Sequence, residues 1–244
     1  MSPKLDYLHV QIPALLSVCF ALLVILLVAG IYFTIRRVAP KQAAFTLIGC
    51  ILWLGLLYFA AQKTFFLDIA ATPPRFLIAV IPPLLFIVMV FGQAKGRQWM
   101  DRLSLRSLTW VHILRIGVEL LLFKLFVAGQ IPQVMTFEGR NWDIWAGLTA
   151  PLMIFMVFYQ KKWSAKVLGW WNIGALGLLI NIVTTAVLAA PFPFQQLSFE
   201  QPNVAVLKPS FIWLPGFVVP VVLFAHLISI RRLWVNTRPD HEPS

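Results

Sequence analysis

The sequence predicts an all-α integral membrane protein, a bundle of seven transmembrane helices with its N-terminus outside and its C-terminus in the cytoplasm. Three observations predict it. Sixty per cent of the residues are hydrophobic and 12% are charged, about half the charged share of a soluble domain. Apolar runs recur at lengths that cross a hydrocarbon core of about 30 Å at about 1.5 Å per residue. Basic residues alternate between dense and sparse in successive connections. Lipid as solvent resolves the composition, because a helix satisfies its own backbone while its apolar side chains face hydrocarbon.

The spans are expected near 11–35, 42–62, 76–94, 107–128, 144–160, 167–190 and 211–231, as one domain over 1–244 with a short cytoplasmic tail at 232–244. Only Lys4 precedes the first run, whereas Arg36, Arg37 and Lys41 follow it, and no small-residue cleavage pattern is visible. A retained first helix with a translocated N-terminus is therefore expected. The third run contains Pro82 and Pro83, the fifth and shortest Pro151, and the seventh Pro215 and Pro220; each proline removes a backbone donor and bends its helix. Between the third and fourth runs, residues 97–106 alternate basic, apolar and polar types, a pattern expected to lie along the inner interface.

Charge orients the bundle. The connections assigned to the inside hold Arg36, Arg37, Lys41, Lys95, Arg97, Arg102, Arg106, Lys161, Lys162, Lys166, Arg231, Arg232 and Arg238, thirteen in all, against five outside: Lys4, Lys63, Arg75, Arg140 and Lys208. The formal charge of +11 is thereby explained by topology and anionic headgroups rather than by nucleic acid. The expected location is the cytoplasmic membrane of a bacterium, with the lipid bilayer and a small-molecule ligand as partners. Cys19 and Cys50 sit inside apolar runs and read as small buried hydrophobes. Trp142, Trp145 and Trp213 fit an outer aromatic belt; Trp163, Trp170, Trp171 and Trp234 fit an inner one.

No motif identifies a reaction. There is no His-Glu-x-x-His, so no metal site is expected. The seventh span contains no lysine, and Lys208 lies in the connection before it, which argues strongly against a retinal pigment. The fourth span is the informative one. His112, Arg115 and Glu119 share one face within about 60°, and ionisable groups in lipid turn toward the bundle interior. Arg115 and Glu119, four apart, are expected to neutralise each other. By depth, His112, Arg115, Asn172 and His226 form one polar layer if their helices adjoin. Glu119, Asn181, Thr184 and Thr185 form a second.

Two longer connections are assigned to the outside, 130–143 and 191–210. In the first, Glu138, Arg140, Asn141 and Asp143 are candidates for binding a solute at the mouth of the bundle, or for capping the fifth span, with Asn141 or Asp143 as the N-cap before Ile144. A shared Thr/Ser-Phe-Glu-x-x-Asn pattern at Thr136–Asn141 and Ser198–Asn203 suggests a duplicated hairpin; Ser198 with Gln201 equally fits a capping box. The leading functional expectation is binding or transport of a small solute, a proton or a lipid-like molecule by His112, Arg115, Glu119, Asn172, Asn181 and His226. The alternatives are a redox protein holding haem b between His112 and His226, an enzyme acting on lipid with His112 or Glu119 as general base, and an accessory subunit of a membrane complex.

Overall fold

In the computed structural model, which describes residues 3–234, every regular element is helical. The first two helices, α1 (Ala14–Arg36) and α2 (Pro40–Gln62), form an antiparallel hairpin. Pro13 and Pro40 mark their starts, where a missing backbone donor costs nothing. Helix α3 (Leu77–Gly92) ends at Gln93, whose extended backbone turns the chain into α4 (Ala94–Asp101), bent by 92° from α3. The corner requires glycine at position 96, since a Cβ there would stand 2.2 Å from the Val90 carbonyl oxygen. Arg97 donates to the Phe91 and Gly92 carbonyls that the bend exposes. The basic stretch expected at the interface thus begins as a short helix lying across the end of α3.

The fourth apolar run is two helices. Helix α5 (Leu105–Val111) stops at His112, and α6 (Leu114–Val127) begins two residues later. The amides of His112, Ile113, Arg115 and Ile116 each bond three residues back instead of four. Helix α7 (Ile144–Ile154) continues as a π-helical turn over Phe155–Tyr159, after Pro151. Helix α8 (Ala165–Leu188) is unbroken, and α9 (Val219–Trp234) is preceded by a π-helical turn at Leu214–Val218. Among the described residues, four helices are long and apolar enough to cross a membrane: α1, α2, α8 and Leu214–Trp234; the bent pair α3–α4 makes up to five. The α5–α6 break and the shortness of α7 keep those runs below that length. Of the expected tail, residues 235–244 with Arg238 lie outside the described residues.

Large apolar side chains face outward along the bundle, among them Leu15 (71% exposed), Phe45 (76%) and Val88 (68%). Water would penalise that surface and lipid would not. The interior is organised around α1, α6, α8 and α9, with Phe20 stacked on Phe211 at 4.8 Å. Two of the expected belt tryptophans are tied into the bundle instead: Trp213 Nε1 donates to Leu54 O and Trp171 Nε1 to Thr149 Oγ1.

The two ends of the bundle are held differently. At the basic end, Arg231 pairs with Asp101 at 3.2 Å, Arg232 donates to Leu103 O, and Arg102 donates to Val38 O. At the loop end, the buried Lys208 ammonium donates to the Tyr7 and Val10 carbonyls and to Gln130 Oε1, fastening the N-terminal segment to both long connections. Burial pushes the Lys208 ammonium down to about 8. The two Phe-Glu-x-x-Asn segments have unlike backbones: Thr136 is extended (φ −108°), whereas Ser198 is left-handed (φ 57°). No helix follows Ser198, so no capping box forms, and Gln201 Nε2 donates instead to Phe126 O and Ile131 O.

Candidate functional site

The α5–α6 break, α7, α8 and α9 together enclose a continuous chain of polar side chains. Its first link is Asn172 on α8, whose Nδ2 donates to Leu168 O and whose Oδ1 lies 2.9 Å from His226 Nδ1. The other imidazole nitrogen of His226 lies 3.0 Å from Arg115 Nη1. A guanidinium only donates, so His226 Nε2 accepts and Nδ1 carries the proton that Asn172 Oδ1 receives. Arg115 then reaches forward. Its Nε donates to Asp143 Oδ2 at 2.6 Å, its Nη2 pairs with Asp143 Oδ1, and Nη2 also donates to Ala175 O at 3.2 Å. This two-pronged contact is the arrangement in which arginine holds a carboxylate most firmly.

Asp143 leads to the last links. Its backbone amide donates to Asn141 Oδ1 at 3.1 Å. Asn141 Nδ2 donates to Glu119 Oε1 and Oε2 at 2.8 and 2.7 Å and to Met135 O at 3.0 Å. Asn172, His226, Arg115, Asp143, Asn141 and Glu119 are all buried. Beside them, His112 stacks on His226 with ring centroids 3.9 Å apart and meets the edge of Trp171 at 5.4 Å. His112 is fully buried, yet neither of its ring nitrogens has a partner.

Several expectations change here. Arg115 does not take Glu119 as its ion-pair partner; it takes Asp143, because the 130–143 connection dips into the bundle and brings a carboxylate in front of the guanidinium. Asp143 holds the N-cap position of α7, but its side chain makes no cap bond; the same inward turn explains that. The outer-loop group divides. Asn141 and Asp143 are buried in the polar chain, while Glu138 and Arg140 are exposed. Asn181 is exposed too, and its Nδ2 donates to Arg140 O, away from Glu119. A break in helical phase at His112 leaves His112, Arg115 and His226 meeting in one place, with Asn172.

Haem does not fit this arrangement. Two axial imidazoles must point their nitrogens at an iron between them, whereas His112 and His226 stack face to face, 21° from parallel. Both nitrogens of His226 are also already engaged. Among the described residues no group of three or more His, Cys, Asp or Glu side chains is placed to hold a metal ion.

A cavity of about 140 Å³ adjoins the chain, bordered by Arg115, Glu119, Asp143 and Asn203 with apolar walls that include Leu122 and Val218. Asn203 Oδ1 is buried beside it without a partner. Such a space admits a few waters or a very small solute, at about 30 Å³ per water. Asn203 and Trp171 were not legible as parts of this site. The only signal was that Trp171 directly precedes Asn172 and that Asn203 repeats the position of Asn141 in the shared pattern. No curated protein and no solved structure matches the chain. The family model for a domain of unknown function, DUF8737, matches residues 73–234, about two thirds of the chain and the whole of this polar site, and the protein belongs to that family.

Proposed function

We propose that this is a seven-span membrane protein, oriented with the N-terminus and the two long connections outside, that takes up a proton or a small cationic solute at Glu119, Arg115 and Asp143. One observation carries the reading: two buried carboxylates and a single guanidinium border the same small cavity. With Asp143 matched by Arg115, Glu119 has hydrogen bonds from Asn141 but no cation of its own. An uncompensated charge in a bundle interior is costly, and one positive charge, as a proton on Glu119 or a small cation in the cavity, removes the imbalance. The chain His112, His226, Asn172 and Arg115 extends from that cavity toward the basic end and supplies a polar track beside it.

Infrared difference spectroscopy of the purified protein in mild detergent tests the site. A carboxylic-acid carbonyl band that changes with pH or with an added small cation, and that is missing in Glu119→Gln, is the expected result. If neither pH nor any alkali or small amine cation produces a change that depends on Glu119, the reading is wrong. The orientation is tested independently by labelling single cysteines introduced at Glu138 and Lys162 in intact cells with an impermeant maleimide. Reaction at 138 and protection at 162 are expected, and the reverse overturns the assignment.

A further inference from the structure

A second and larger cavity, about 840 Å³, lies on the other side of the bundle. The consecutive helices α2 and α3 do not pack along their length; α2 packs on α1, while α3 packs on the start of the seventh apolar run and on α9. The gap between them is a slot floored by α1 and α9, with Phe45 and Gly49 of α2 on one wall and Pro82 and Phe86 of α3 on the other. Nothing lies within 4 Å of where a Gly49 Cβ would be. The size falls in the range of pockets that hold drug-sized ligands.

Helix α4 lies across one end of the slot, and that end is polar. Lys95 and Trp99, four apart and so on one face of α4, both line it, with Gln42 of α2 and Ser107 of α5 opposite. Trp99 Nε1 is buried without an acceptor. The acidic residue of α4, Asp101, is turned to Arg231, so it does not neutralise Lys95. Arg37 and Lys41 stand exposed at the same end of α1 and α2. A long apolar slot, open sideways and ending in an ammonium with further cations near it, matches one kind of molecule: an amphiphile with alkyl chains and an anionic head.

We infer that the slot between α2 and α3 binds one anionic phospholipid, its phosphate at Lys95 and an acyl chain along Gly49, Pro82 and Phe86. This rests on the membrane placement proposed above, because only in a bilayer does the open side face lipid; it does not rest on the polar site. A retained lipid fills the gap that two consecutive helices leave.

Native mass spectrometry of the detergent-purified protein, titrated with phosphatidylglycerol or phosphatidylcholine of the same chains, tests it. One tightly held phosphatidylglycerol is expected, with phosphatidylcholine bound more weakly. Lys95→Gln should weaken the phosphatidylglycerol adduct about fivefold, the worth of one lysine at an anionic surface. Gly49→Trp, which fills the slot, should remove it, and Lys124→Gln, a change to an exposed cation on α6, should leave it intact. Equal binding of both lipids, or equal losses in Lys95→Gln and Lys124→Gln, would show ordinary annular contact and overturn the assignment. Full retention in Gly49→Trp would do the same. Failure of the membrane placement itself shows separately, as recovery of the chain in the soluble fraction without detergent.

Discussion

The two cavities of this molecule are held in different ways. Both have mainly apolar walls; in the small one these are joined by Arg115, Glu119, Asp143 and Asn203, the first three held by other side chains, and every residue around it lies within the stretch 73–234 that the family model matches. The large one draws its walls from α1 and α2 outside that stretch as well as from α3, α4, α5 and α9 within it, and keeps its polar groups at one end. The difference is one of how each is held. The small cavity is locked by directional bonds that tie α6, α8, α9 and the 130–143 connection together. The slot exists because α2 packs on α1 and α3 on the seventh run and α9, not along each other. A change in the first should therefore propagate through the bundle, and a change in the second should stay local.

That contrast can be broken by experiment, and the largest effect is expected at the ion pair. Arg115→Met leaves Asp143 charged and unpaired in the interior, at a cost of about 3–5 kcal/mol. Thermal unfolding in mild detergent should show it, and Arg115→Met combined with Asp143→Leu should recover most of the loss. A double variant as unstable as the single one would mean that the pair is not the lock. Next is Asn141→Leu, which strips the hydrogen bonds from both Glu119 oxygens; a loss of about 1–3 kcal/mol is expected by the same measurement.

Gly96→Val probes the α3–α4 corner that closes the slot. The new Cβ meets the Val90 carbonyl, so a loss of about 1–3 kcal/mol is expected, whereas Gly49→Ala inside the slot should fall within about 0.5 kcal/mol of wild type. A Gly49→Ala change as damaging as Gly96→Val would show that the slot is packed after all. Glu138→Gln and Arg140→Gln, exposed at the loop end, should also stay within about 0.5 kcal/mol. A last effect concerns pH. Lys208 is held at about 8 when folded, against an ordinary value of 10.5. Between those values the unfolded chain binds more protons, so this group's contribution to stability should grow as pH rises through that window and be lost as pH falls through 8. Lys208→Met should flatten that part of the stability profile.

Much of the architecture is legible in the residues themselves. Hydrophobic runs of span length and the prolines that interrupt them follow from local chemistry, because a backbone in lipid has no partner but its own helix. The change of direction before 97–106 is legible for the same reason, since a stretch that alternates charge and apolar groups sits best at an interface. The heights of His112, Arg115, Asn172 and His226 follow from rise per residue alone, and the structure places these four side chains together. Their partners do not follow. Arg115 has Glu119 one helical turn away, the pairing that local spacing favours, and takes Asp143, 28 residues distant in sequence.

The sequence by itself determined that the chain is helical, apolar and charged at its helix ends, and that one short stretch carries buried ionisable groups. Those properties are set by composition and by a 3.6-residue period, which any window of the chain carries locally. Only the tertiary structure decided which groups meet. The 130–143 connection folds inward to deliver Asn141 and Asp143 while leaving Glu138 and Arg140 outside, and α2 and α3 stand apart although they are neighbours in the chain. Both outcomes depend on how helices pack on partners far away in sequence, and side-chain contacts across a bundle are selected by the close fit of all of its surfaces at once.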